Sequence, residues 1–454
     1  MSDRAKSIPA PWFTPIRMIE TEISGAFADI EPSVGPAGRP YTRAWSLVRL
    51  HSEPLGSVAL DMPGGRLDAT AHAQAIWHAL HVEINAHLRA DGLPLLTTLD
   101  PGGVSTNATP RCIAERESLL AAPPFISVII ATRERPESLA ACLRAFERVS
   151  YPQYEIIVVD NAPATEATRD LILGNFEANP CIRYAREEHP GLGWAHNCGL
   201  RYARGEIVAF TDDDVIVDVH WLSELLRGFA AEAMVGCVTG LVVPKEIETS
   251  AQFWFEQHSG FNKGFRQRIF DLGAHRPGDR LFPYRASMFG TGANMAFRAG
   301  ALRAVGGFDP VLGPGTPAKN CEDLDAYFRV IQAGYTLVYQ PSALVRHVHR
   351  TDYSALREQY FTYGVGLTAY LTKCIAANPL DGFRLLSLLP AGLAFARSTH
   401  RRSSRLGDYS PELTRLERRG RLYGPFAYLR SRWKYRRATR RDIVPDRADL
   451  SLTA

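Results

Sequence analysis

A chain of 454 residues, 46% hydrophobic and 22% charged, is an ordinary folded protein with room for two or three domains and at least one large core. Its seven cysteines are odd in number, scattered and without a CxxC pair, which indicates neither a disulfide framework nor a zinc site and fits a reducing cytoplasm. The net charge of +4 is unevenly spread: residues 397–441 carry fifteen Arg or Lys against Asp408, Glu412 and Glu417, a tail of +12 on a remainder of −8.

The start, MSDRAKSIPAPWF, lacks an apolar run of signal-peptide length, which argues against export by that route. Residues 1–115 read as a separate accessory α+β module. AWSLVRL and GSVALDM are strand-like, and Ile76, Leu80, Ile84 and Leu88 recur every fourth residue in a helix near 70–91 that Gly92 stops. His72, His78, His81 and His87 lie on or beside that helix, but their spacing matches no HExxH pattern and no carboxylate partner is evident. Surface and boundary histidines are the preferred reading over a metal site. TLDPGGVSTNATPR, rich in turn formers, is the expected linker.

From Phe125 strands and helices alternate: FISVIIA, then PESLAACLRAFERV opened by Pro136, YEIIVVD, TEATRDLILGNF, CIRYA, AHNCGLRYAR, GEIVAFT, VHWLSELLRGFAAE and VGCVTGLVV. Near-continuous apolar strands between helices predict an α/β fold with a mostly parallel sheet covered on both faces over residues 123–350. Ligands of such sheets bind outside the carboxyl ends of the strands, where right-handed crossovers gather TRER (132–135), DN (160–161) and TDDD (211–214) on one edge. Neither GxGxxG nor GxxxxGK[ST] follows the first strand, so a dinucleotide fold or an ATPase phosphate loop is not supported. Adjacent carboxylates on a strand-end loop suit Mg²⁺ or Mn²⁺ shared with the phosphates of a nucleotide. Taken alone, Asp212, Asp213 and Asp214 read better as caps of the helix beginning near Asp218 or as solvated turn residues; the strand-end position and the other motifs reverse that preference.

FISVIIATRERPESLAACL, YEIIVVDN, GLGWAHNCGLRYARGEIVAFTDDD, GTGANMAFRAGALRAVGGFD and CEDLDAYFRVIQAGY, in this order, resemble the family 2 glycosyltransferases of GT-A fold over about residues 125–350. The resemblance implies a metal-dependent, inverting transfer of a sugar from a nucleoside diphosphate, UDP favoured, to an acceptor hydroxyl. It implies that Asp212 contacts ribose or metal, that Asp214 is the principal metal ligand, and that Asp213 lies between them on the nucleotide. Thr132, Arg133, Glu134 and Asp160 would cradle the nucleobase, with Asp160 able to accept from a ring N–H of uracil or thymine. Gly290, Thr291, Gly292 and Asn294 would floor the donor-sugar pocket. Asp323, in the pair with Glu322, would be the general base, and His347, with His349 in reserve, would complete the metal site. Two positions depart from the family pattern: Glu134 stands where Asn or Asp is frequent, and Cys321 where Gly is frequent. Apart from the resemblance, Asp323 and Asp325 also suit the first turn of a helix, and Asp325 with Arg329 is an ordinary i,i+4 pair.

Residues 351–454 read as a helical, basic extension. FRLLSLLPAGLAFA (383–396) is too short to cross a bilayer, which takes roughly 20 apolar residues. The tail interleaves arginines with Tyr423, Phe426, Tyr428, Trp433 and Tyr435, which suits either an interfacial helix on anionic lipid at the cytoplasmic membrane face or a cap packed on the catalytic domain. A glycan or lipid-linked acceptor is expected, and nucleic acid is not, since no reader module accompanies the charge. The rival readings are a nucleotidyltransferase with an aspartate pair at a strand end and a non-catalytic protein that binds sugar nucleotides or membranes.

Overall fold

The computed structural model describes residues 13–404 and 410–436. In the amino-terminal part, β1 (Arg17–Glu22) lies parallel to β2 (Arg43–Leu50), and β2 pairs antiparallel with β3 (Glu53–Asp61). Helix α1 (Ala69–Ala90), capped by the Asp68 carboxylate on the N–H of Ala71, lays Ala73, Ile76, Ile84 and Leu88 on this sheet. Together with Val48, Leu50, Val58 and Leu60 they form a core of their own. Helix α2 (Arg111–Leu120) leads out of this module.

The large sheet contains β4 (Ile126–Thr132), β5 (Tyr154–Asn161), β6 (Ile182–Glu187), β7 (Ile207–Asp212), β8 (Val215–Val217), β9 (Val235–Pro244), β10 (Arg268–Phe270), β11 (Asn294–Arg298) and β12 (Thr336–His347). The spatial order is β10-β12-β9-β11-β7-β4-β5-β6, with β8 beside β12. The α/β expectation holds. β7, β4, β5 and β6 are parallel neighbours, as are β9 and β12, whereas β11 enters antiparallel between β7 and β9. That insertion matters for function, because it brings the start of β11 to the carboxyl end of β7.

One face of the sheet is covered by α3 (Pro136–Phe146) and α6 (Trp221–Phe229), whose Leu139, Leu143, Phe146, Trp221 and Leu225 join a core with Val128 and Val238. On the other face α5 (Leu192–Tyr202), α8 (Ala299–Ala304) and α9 (Glu322–Gln332) bury Phe210, Phe297, Phe308 and Tyr327. The helix expected over 165–176 is α-helical only as α4 (Ala167–Leu171) and widens into a π turn over Ile172–Phe176. Helix α7 (Ser250–Ser259) opens with a capping box between Thr249 and Gln252.

Three helices follow: α10 (Tyr353–Ala377), α11 (Pro379–Ser404) and α12 (Pro411–Lys434). A Cβ on Gly364 would fall 2.0 Å from the carbonyl oxygen of Glu417, and one on Gly420 2.2 Å from that of Phe361. The backbones of α10 and α12 are therefore in contact, as small residues permit. Beyond α10, Ser431 Oγ donates to the Val311 carbonyl and the Tyr435 hydroxyl to that of Pro190, so α12 and its end reach the domain; segments 405–409 and 437–441 of the basic tail lie outside the described residues.

Candidate active site

The aspartates stand at the end of β7. Asp213 is buried, accepts a hydrogen bond from Thr132 Oγ1 at 2.7 Å and pairs with Arg135 Nη1 at 2.6 Å. The same guanidinium reaches Asp214 Oδ2 at 2.9 Å. Burial, only partly offset by Arg135, pushes Asp213 up to about 6. Asp213 and Thr132 are therefore occupied with one another, and Arg135 supplies part of the positive charge that consecutive carboxylates need. Asp212 is also raised, by burial and by its carboxylate neighbours Asp214, Asp213 and Asp323. One guanidinium does not balance so many acids.

β8 follows at once and pairs antiparallel with the end of β12, placing Val215 opposite His347, while the N–H of Val348 donates to the Asp214 carbonyl. This zipper brings His347 to Asp214, Nε2 to Oδ1, at 3.3 Å. Asp212, Asp214 and His347 each offer a ligand atom, all within 4.8 Å of one another. Oδ1 of Asp214 is buried without a hydrogen bond. Two hard carboxylate oxygens and an imidazole nitrogen fit a divalent ion such as Mn²⁺ or Mg²⁺. Burial lowers His347 to about 4, which keeps its ring neutral. Behind it, Nδ1 of His347 faces Nδ1 of His349 at 3.2 Å, and His349 Nε2 lies 2.6 Å from Glu256 Oε1. His349 thus orients His347 and does not itself reach the aspartates.

The register explains how Asp323 joins them. Asn294 pairs with Thr211, so Gly292 hangs beside Asp212, and the Gly292 N–H donates to Asp323 Oδ2 at 2.8 Å. Oδ1 takes the N–H of Leu324 at 2.8 Å. Burial raises the Asp323 carboxyl against the opposing pull of these two N–H groups. Glu322 is buried and raised by burial and by Asp323, and its Oε2 has no hydrogen bond. Asp325 points elsewhere: it pairs with Arg329 at 2.7 Å and with Lys373 on α10, and so anchors α9. Cys321 adopts φ +76°, the left-handed conformation for which glycine is the usual residue.

The remaining expected residues divide. Asp160 is fully buried at the end of β5, takes the Tyr184 hydroxyl at 3.0 Å and is raised by burial. Arg133 is exposed. Glu134 differs from the expectation of a base contact: its carboxylate is spent on the N–H groups of Ala164 and Thr165 and on the Thr165 hydroxyl, bracing the loop after β5. Asn294, expected in the donor pocket, faces inward, donating to the carbonyls of Leu241 and Ala343 and accepting from Trp221 Nε1. It pins three elements and leaves Gly290, Thr291 and Gly292 at the cleft. Gly290 has φ +155°, and a Cβ there would strike Thr239. Sequence reasoning missed Arg135, which looked like part of a generic TRER turn, and Lys263. The half-buried Lys263 is lowered by desolvation and by Arg268, and held up by Asp323; it comes from an irregular segment that carries no motif.

Residues 127–306 match the family described as Glycosyl transferase family 2. A pre-mycofactocin glycosyltransferase of Mycobacterium tuberculosis is 27% identical over 227 residues, 50% of this chain and 43% of that protein. The chain therefore spans less than half the length of that curated relative. A glucosyl-dolichyl phosphate glucuronosyltransferase of Haloferax volcanii is 23% identical over 53% of this chain and 75% of its own length. Among solved structures, a mannosyltransferase of Pyrobaculum calidifontis in complex with GDP-Man and Mn²⁺ aligns with TM-score 0.42 and 18% identity, covering 71% of this chain and 92% of that one. The matched segment runs from β4 through the aspartate loop and β11 to the end of α8, so it is this part of the chain that is similar to the Glycosyl transferase family 2 domain.

Proposed function

We propose that this chain transfers a sugar from a nucleoside diphosphate, UDP favoured, to an acceptor hydroxyl with inversion at the anomeric carbon. The observation that carries the proposal is the joining of Asp212, Asp214 and His347 to Asp323 through Gly292 at the carboxyl end of β7. Asp214, Asp212 and His347 would hold the divalent ion, which, when bound, acts as a Lewis acid on the departing diphosphate. Asp160 and the exposed Arg133 edge would receive the nucleobase, and Gly290 to Gly292 the donor sugar. Asp323 takes the proton from the acceptor oxygen as that oxygen bonds to the anomeric carbon and the bond to the diphosphate breaks. Its burial supports this role, because a desolvated carboxylate is the stronger base. Lys263, which interacts electrostatically with Asp323, would favour the carboxylate form of that base.

The acceptor side supports a lipid-linked substrate at an anionic membrane surface. A cavity of about 590 Å³ is lined by Leu324, Tyr284, Leu371, Leu385 and Leu388, and Leu324 is the neighbour of Asp323. Around it α11 exposes Leu380, Phe383, Leu386, Leu389 and Leu393. On α12 Leu422, Phe426, Leu429 and Trp433 are exposed at one helical spacing between exposed arginines. No helix among the described residues is long and apolar enough to cross a membrane. This placement fits a peripheral protein on the cytoplasmic leaflet, working in glycolipid or polysaccharide assembly.

A thermal-shift panel of UDP-, GDP- and dTDP-sugars with and without Mn²⁺ tests donor class and metal need together. One donor is expected to stabilise the protein only with metal, and absence of any shift would overturn the proposal. Turnover must release nucleoside diphosphate; pyrophosphate would mark a nucleotidyltransferase instead.

A further inference from the structure

A second group of metal-ligating side chains lies in the amino-terminal module, away from the aspartate loop. His51 comes from the turn between β2 and β3, where it holds φ +56°; His87 and Asp91 come from the last turn and C-cap of α1; Cys112 comes from the first turn of α2. Nδ1 of His51 lies 2.9 Å from Asp91 Oδ2 and 3.1 Å from His87 Nε2. His87 Nε2 is 3.0 Å from the same carboxylate oxygen, and Cys112 Sγ is 3.2 Å from it. All four ligand atoms lie within 4.8 Å of one another, and each side chain is almost wholly shielded from solvent.

Asp91 Oδ1 accepts the N–H of Cys112 at 3.0 Å, and Oδ2 faces the other three side chains. Its side chain is 4% exposed and stands at the carboxyl end of a 22-residue helix, where the macrodipole opposes an acid. Among the described residues its ionic partners are the two imidazoles, while the nearby Arg227 is paired with Glu53 and Glu224. A cation at Oδ2 would supply the full positive charge that no lysine or arginine provides to this buried carboxylate. The donor set of two imidazole nitrogens, one thiolate and one carboxylate oxygen is that of four-coordinate zinc. The observed separations are a few tenths of an ångström below the edges of a tetrahedron with bonds of roughly 2.0–2.3 Å.

We propose that His51, His87, Asp91 and Cys112 bind one Zn²⁺ in a closed, structural site. Four protein ligands leave no position for substrate, so the ion clips segments together. It joins the β2–β3 turn and the end of α1 to α2, and α2 is bound to α6 of the transferase domain by Arg116 and Glu224 at 3.1 Å. Glu53 Oε2 lies behind the His87 ring, 3.8 Å from its Nδ1, and Glu53 pairs with Arg227 on the same α6. The ordinary surface-histidine reading fits His78 and His81, which are exposed, but not His72, which is buried beside Thr21. It also fails for His87, whose partners are Asp91 at i+4 on the same helix and His51 and Cys112 from segments outside it.

The test uses the full chain without a histidine tag. Elemental analysis of the chain, after addition of Zn²⁺ and gel filtration, is expected to give one tightly held zinc per chain. Substitution by Co²⁺ should produce the intense near-ultraviolet thiolate-to-cobalt band with visible bands of tetrahedral cobalt. Cys112→Ser should remove the thiolate band and at least ten-fold of the zinc affinity, whereas Asp214→Ala should keep both. Chelator should lower the melting temperature of the wild type and of Asp214→Ala by more than that of Cys112→Ser. A folded wild type that retains no zinc and gives no thiolate band overturns the proposal, as does a band that survives Cys112→Ser. Donor-sugar binding by Asp214→Ala is read separately, so failure here and failure of the transferase reading are distinguishable.

Discussion

Gly292 donates its backbone N–H to Oδ2 of Asp323 at 2.8 Å, and a Cβ on that glycine would stand 3.3 Å from the same oxygen. A side chain there would press on the carboxylate, and the position of Asp323 is tied to the segment that enters β11. Asp323→Asn keeps the shape and removes the proton acceptor. It is expected to lower kcat by about 10²–10⁴-fold with metal-dependent nucleotide affinity unchanged. Gly292→Ala displaces the base by a few tenths of an ångström and is expected to lower kcat by roughly ten-fold or more. Near-normal turnover of Asp323→Asn would remove it as the base. Because burial raises the Asp323 carboxyl, the acid limb of kcat against pH should lie above the ordinary carboxylate range, with activity lost as pH falls through it.

Asp214 and His347 are far apart in the chain and meet because β8 pairs with β12. Asp214→Ala leaves Asp212 and His347 too few to hold a divalent ion. It should abolish transfer and weaken Mn²⁺-dependent nucleotide binding by about 10²-fold or more. His347→Ala should weaken it by about ten-fold, and His349→Ala less, through loss of orientation. Titration calorimetry of UDP at fixed Mn²⁺ checks the order. Equal affinities for wild type and Asp214→Ala would refute the ligand set.

Much of the domain was legible because its strands are buried on both faces and its helices are amphipathic, so β4 to β7 and α3, α5 and α6 show in the apolar pattern. The antiparallel entry of β11 did not show, since periodicity carries no strand direction. The aspartate loop stood out as a charge anomaly. Arg135 did not, although it carries part of the compensating charge, because a lone arginine after a strand has no pattern. Asn294 was read from its motif neighbours as a pocket residue, yet its amide is consumed by Leu241, Ala343 and Trp221. Cys321 was visible as a departure from glycine, and its φ of +76° gives the reason that glycine suits the position.

The exposed row of Leu422, Phe426, Leu429 and Trp433 on α12 has no covering element among the described residues, with exposures of 58–78%. Such side chains are worth about 1.5–3 kcal/mol each when fully buried, and an interfacial helix gains part of that. Replacing Leu422, Phe426 and Trp433 by Ser is expected to reduce co-sedimentation with anionic vesicles by at least ten-fold. Melting temperature and nucleotide binding should be unchanged, since the buried face of α12 is untouched. Raising salt should weaken the wild-type interaction by screening the arginines. Unaltered vesicle binding by the triple variant would exclude this face as the contact.

Arg49 of β2 and Asp218 of the loop before α6 form a buried pair at 2.7 Å that ties the amino-terminal module to the segment following the aspartates. Burial alone would raise the Asp218 carboxyl, and the hydrogen bonds and charge of Arg49 override it, holding it below its usual value. Arg49→Met leaves that carboxylate buried without its main partner and is expected to cost about 3–5 kcal/mol, while Arg49→Met with Asp218→Leu should recover most of the loss. A group with a lowered folded pKa contributes stability above its unfolded value, near 3.9, and loses it as pH falls towards the folded value. The destabilisation by Arg49→Met should thus be largest near neutrality and shrink in acid, where the unpaired Asp218 takes up a proton. Urea unfolding of wild type, single and double variants between pH 7 and pH 3.5 measures this directly. A gap that stays constant over that range would show that lost packing, and not the ion pair, holds the two parts together.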